Sequence, residues 1–172
     1  MKIIGVIGIF IFVISGCASL PGMASVPMES AQITKVAKQF NPPSDGMAGL
    51  YIYRNTTRGG FHYINVWIYS KCIGSTAPDV FFYEEVEGGR SYRISSAYTS
   101  EEPSPNDPLI KVKSGMNYFF QQNLNFASTD LELVDEEQGK KEVSKLDMAT
   151  KYTCKRRAPI NPQIPFVTPW LW

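Results

Sequence analysis

Between residues 64 and 69 the side chains alternate, with Ile64, Val66 and Ile68 on one side and Asn65, Trp67 and Tyr69 on the other. Successive strand residues point to opposite faces, so a period of two specifies a strand with one aliphatic and one aromatic-polar face. The pattern recurs. Leu50-Tyr51-Ile52-Tyr53-Arg54 is aromatic and β-branched, and is stopped by Asn55 and the Gly59-Gly60 pair. Residues 80–86 form another run, Gly88-Gly89 reads as a hairpin turn, and residues 90–98 place Tyr92, Ile94, Ser96 and Tyr98 on one side. Ile110 and Val112 face away from Lys111 and Lys113. Ser114-Gly115 turns the chain into residues 116–124, and residues 131–134 close the series.

Short strands separated by turn signals, not alternating with helices, predict a mainly β fold. The expected form is an antiparallel β-sandwich, or a small barrel-like sandwich, with short flanking helices. One helix is expected over residues 29–40, with Ile33, Val36, Ala37 and Phe40 on its apolar face and Asn41-Pro42-Pro43 ending it. A second follows Asp135, which can cap it with Gln138 three residues on; Glu136–Lys140 and Glu137–Lys141 are spaced for helical ion pairs, and Gly139 argues against it.

The N-terminus reads as an address. Lys2 precedes an unbroken run of apolar residues and glycine from 3 to 14, closed by Ile14-Ser15-Gly16-Cys17. The run is too short to span a bilayer, which takes about 20 apolar residues, and fits an export signal. The four closing residues resemble the bacterial lipobox, in which small residues admit the peptidase and the cysteine thiol takes the lipid. Cys17 is therefore the expected lipidated first residue of the mature chain. Ala18 and Ser19 follow, and by resemblance to Gram-negative lipoproteins the lack of an aspartate there directs the protein to the outer membrane, facing the periplasm. The expected division is signal 1–16, tether 17–28, helix and linker 29–46, β-sandwich 47–146, and a Pro/Trp-rich tail 147–172.

Lys2 is the sole charge of the signal, so the mature chain carries 16 basic and 16 acidic side chains. That balance gives no steering toward nucleic acid. With Cys17 committed to lipid, Cys72 and Cys154 remain. In an oxidising compartment they are either a disulfide joining the C-terminal region to the β domain or two unpaired thiols.

No catalytic set is apparent. His62 is the only histidine and has no nucleophile motif near it. Glu84, Glu85 and Glu87 sit on a strand whose neighbours point to opposite faces, so a solvated edge is expected of them. No metal-ligand spacing or phosphate loop is present, and no cofactor is expected. Asn55-Thr56-Thr57 matches a glycosylation acceptor that has no use in a bacterial lipoprotein. Two surfaces are candidates for binding. One is the Trp67 and Tyr69 face, with Tyr51 and Tyr53 as further members, although a core role is the commoner fate of such rings. The other is the tail, where four prolines lead to Trp170 and Trp172, read as a strap over the domain or as a partner's ligand.

The order of Phe40-Asn41-Pro42-Pro43, Leu50-Tyr51-Ile52-Tyr53-Arg54, Ile73-Gly74, the aromatic strand at Phe82, the Gly89 turn and the run Leu131-Glu132-Leu133-Val134-Asp135-Glu136-Glu137-Gln138-Gly139-Lys140 resembles a family of uncharacterised bacterial lipoproteins, domain of unknown function 2846. The likeness spans residues 40–143. It implies a β-sandwich with no established reaction and no catalytic residues to carry over; Cys72, Cys154 and the tail lie outside it. The expected function is a lipid-anchored envelope protein with a non-catalytic module and an envelope protein as partner. A glycan- or peptidoglycan-binding module is the alternative, and a hydrolase using His62 a weaker one.

Overall fold

The computed structural model describes residues 23–98, 104–125 and 128–155. Cys17, Trp170 and Trp172 lie outside the described residues. The elements run α1 (Ala31–Ala37), β1 (Met47–Arg54), β2 (Ile64–Ile68), β3 (Lys71–Thr76), β4 (Val80–Glu87), β5 (Ser91–Tyr98), β6 (Leu109–Lys111), β7 (Asn117–Leu124), β8 (Thr129–Val134), α2 (Glu136–Val143) and β9 (Asp147–Met148). Among the described residues the strands form two sheets, β8-β7-β1-β4-β9 and β3-β2-β5-β6, and neither closes into a barrel. The mainly β expectation holds. Its antiparallel form needs one amendment: β1 pairs with β7, and β4 with β9, in parallel.

The sheets bury their facing sides against each other. Leu50 and Ile52 of β1, Phe82 and Val86 of β4, and Phe120 of β7 meet Val66 and Ile68 of β2, Ile73 of β3 and Ile94 of β5. The five-stranded sheet is covered on its other face too. There Tyr51, Tyr53, Phe81 and Phe119 pack with Val143, Leu146 and Met148, and with Ala37 and Phe40. The molecule is therefore layered helices, mixed sheet, antiparallel sheet. β1 lies at the centre with almost every residue buried, as a strand covered on both faces must be.

Both helices start where a side chain caps them. The Ser30 side chain accepts from the backbone N–H of Ile33, and Asp135 from that of Gln138, each meeting one of the unpaired donors of a first turn. In α2 the Glu136–Lys140 pair forms at 2.5 Å. α1 is shorter than expected. Phe40 leaves it at φ +52° and sets its ring 5.4 Å from that of Tyr51 and 5.9 Å from that of Phe119. Ile33 and Val36, expected on the buried face, are 47% and 50% exposed. Together with Pro42, Tyr83 and Met148 they line a groove of about 350 Å³.

The packed unit reaches beyond the 47–146 bounds expected of the sandwich. Val26 is buried, Ala24 donates to the Gly60 carbonyl at 2.7 Å, and Thr150 donates to that of Pro27 at 2.9 Å, so residues 24–28 lie on the domain and do not serve as free tether. At the other terminus Met148 and Ala149 are buried and β9 extends the five-stranded sheet.

Candidate functional site

The outer face of the four-stranded sheet carries Trp67. It lies opposite Cys72 on β3 and Ser95 on β5, and is half-buried. Its indole Nε1 and the Ser95 hydroxyl are both buried without a hydrogen-bond partner among the described residues. Cys72 is bonded to Cys154, with Cα atoms 6.5 Å apart, which lays the end of the described chain on this face. There the Asn65 amide donates to the Lys155 carbonyl at 2.9 Å. Lys155 N–H donates to Ser75 Oγ at 2.7 Å, and Ser75 Oγ donates to Asn65 Oδ1 at 2.5 Å.

Tyr69 does not continue the Trp67 row. It sits in the turn after β2 at φ +52°, its hydroxyl donates to the Ser91 carbonyl, and its ring lies 5.7 Å from that of Tyr92, which packs on the sandwich core. Tyr51 and Tyr53 leave any surface altogether. Both are buried under the helices, Tyr51 stacking on Phe119 at 4.9 Å and donating its hydroxyl to the Ala37 carbonyl at 2.9 Å. The aromatic side of β1 is thus core, because α1 and the segment around α2 cover it.

The acidic cluster is dispersed. Glu84 is held in the seam between the sheets by Lys151 at 2.5 Å, the Tyr152 hydroxyl at 3.0 Å and Lys71 at 3.6 Å. Glu85 points to the helical side and accepts from the Tyr83 hydroxyl at 2.8 Å. Burial pushes its carboxyl up, but hydrogen bonds from Ser44 and Tyr83 outweigh this and hold it below the ordinary glutamate value. Glu87 pairs with Arg90 at the turn, at 3.1 Å. Among the described residues no three His, Cys, Asp or Glu side chains are grouped for a metal.

One constellation was not read from the sequence. Arg54, the last residue of β1, is fully buried and, among the described residues, forms no salt bridge. Its guanidinium instead donates to three carbonyls of the following loop, those of Arg58 at 3.1 Å, Gly59 at 2.8 Å and His62 at 3.0 Å. Burial pulls its pKa down to about 10, against the opposing influence of Tyr98 and Asp79. The only sequence signal was an arginine ending an otherwise apolar strand. The loop it fixes borders a cavity of about 290 Å³ lined by Arg58, Gly59, His62, Tyr98, Leu124 and Asn125. His62 meets the Tyr98 ring edge-on, 5.6 Å between centroids.

The fold and its faces define a layered β-sandwich module. The chain belongs to the family described as protein of unknown function (DUF2846), whose model matches residues 44–134. An uncharacterised protein of Haemophilus influenzae is 43% identical over 137 residues, covering 77% of this chain and 79% of that protein. No solved structure matches the chain.

Proposed function

We propose that this is a lipid-anchored protein of the bacterial cell envelope, held through Cys17 at the outer membrane and facing the periplasm. Its β-sandwich is a non-catalytic module that engages an envelope protein. The observation that carries the anchoring is the spacing between lipobox and domain. The chain is already packed on the sandwich at Ala24, seven residues after Cys17. A signal cleaved before Cys17 therefore leaves the folded unit whole and adds only a short leash. No helix of the described residues is long and apolar enough to cross a membrane. Two or more acyl chains make attachment through Cys17 stable, since each buried methylene contributes about 0.8 kcal/mol.

The non-catalytic reading rests on His62 and Glu84, the residues most suited to acid–base work. The first packs against a tyrosine ring and the second is occupied by Lys151. Fractionation of cells making the wild type and Cys17→Ser tests the anchor: the wild type sediments with the outer membrane and the variant does not. Equal sedimentation of both would remove the anchor from the account. Substrate turnover abolished by His62→Ala would remove the non-catalytic module.

A further inference from the structure

The end of the sandwich that receives the N-terminal segment also presents the most exposed large apolar side chain among the described residues. Phe61 is 72% exposed, flanked by exposed Arg58 and His62 in the loop between β1 and β2. The same loop takes the incoming chain: Ala24 donates to the Gly60 carbonyl at 2.7 Å, and the Met23 side chain lies against Gly60. Six peptide steps separate Cys17 from Met23. Fully extended, they reach about 21 Å, so a lipid on Cys17 keeps this end within that distance of the bilayer.

We infer that the 58–62 loop is a membrane-contact element, with Phe61 entering the interfacial region and Arg58 meeting lipid phosphate. This rests on the lipidation of Cys17 proposed above. The loop suits the task because it is held in shape. The three carbonyl bonds from buried Arg54 fix its backbone, so Phe61 is displayed without the ordering cost a free loop would bear. An apolar ring beside a cationic side chain matches the bilayer interface, where aromatic rings and headgroup charges meet at one depth. The leash length selects a lipid surface over a protein as occupant: whatever else the domain meets, this end cannot leave the membrane. The opposite end of the sandwich, where Gly115 donates to the Met47 carbonyl and Met116 is 47% exposed, is separated from it by the length of β1. Eight strand residues span roughly 25 Å.

The test uses the full mature protein, extracted from membranes with its lipid verified by mass. It is reconstituted into phosphatidylethanolamine–phosphatidylglycerol vesicles whose acyl chains are brominated near the headgroup. Phe61→Trp adds an indole at the loop, and Met116→Trp adds one at the far end; the wild type supplies the background of the native tryptophans. The expected result is that bromolipid quenches the added Phe61→Trp emission by about half or more and leaves that of Met116→Trp unchanged. Equal quenching of the two, or crosslinking of the loop to a protein in native membranes in place of lipid, overturns the inference while leaving the anchor standing. Absence of lipid on the extracted protein overturns both.

Discussion

Gly139 occupies the point where α2 passes over Phe119, and a Cβ there would collide with the Phe119 ring and its own Cβ. As a mid-helix residue it costs about 1 kcal/mol against alanine, which is why the sequence argued against a helix at that position. The close approach reverses the sign. Gly139→Ala is expected to destabilise the domain by about 1–3 kcal/mol, the range for overpacking, and chemical denaturation measures it directly. Glu85 gives a pH dependence. Its folded pKa lies below the ordinary glutamate value, so the ionised form favours the fold. The stability it contributes is present above the ordinary value near 4.5 and is lost as pH falls through the folded value. Thermal melts of Glu85→Gln and wild type should therefore differ most at neutral pH and converge in acid. Arg54 shows what residue-level reading misses: nothing in the sequence says that a buried guanidinium will turn both terminal nitrogens onto loop carbonyls while its Nε stays without a partner among the described residues.

Among the elements, the strands with clean alternation or strong apolar and aromatic content, β1, β2, β4, β5, β7 and β8, were legible, and so was the capped start of α2. β3 was not. Lys71-Cys72-Ile73-Gly74-Ser75-Thr76 has no alternation, because a register irregularity opposite Val66 and Trp67 puts Ile73 and Gly74 out of phase. β9 is two residues long and exists only through its partner β4. The parallel pairing of β1 with β7 is set by which sheet each strand joins, a long-range choice that no local pattern encodes. The candidate site shows the same division. Trp67 was legible as an outward aromatic, whereas Tyr69 was placed on its row by extending the alternation one residue past the strand's end. The C-terminal segment ties these elements together. It is tied to β3 by the Cys72–Cys154 bond across a separation of 82 residues and to β4 by the Lys151–Glu84 ion pair. Chain entropy puts the disulfide at about 4 kcal/mol. Cys154→Ser should lower stability toward that amount and raise hydrogen exchange at residues 150–155 more than in the β1–β4 core.

At the scale of the molecule, the helices cover one face of the mixed sheet and the antiparallel sheet covers the other; the N-terminal segment bonds to the Gly60 loop and to residues 148–150 beside β9, and Lys155 lies on the antiparallel sheet at Asn65 and Ser75. The layering explains why the β1 tyrosines take the core role expected as the commoner fate of such rings: a two-layer sandwich would have left Tyr51 and Tyr53 in water, and the added helical layer buries them. On the proposed anchoring through Cys17, the 58–62 loop is the end turned to the membrane. The central claim is that Cys17 is the lipid-bearing first residue of this module. Mass spectrometry of the N-terminal peptide from membrane-extracted protein tests it most directly. The account predicts a peptide beginning at Cys17 with the mass of a diacylglyceryl group and an acylated amine; an unmodified peptide, or one beginning at any other residue, would contradict it.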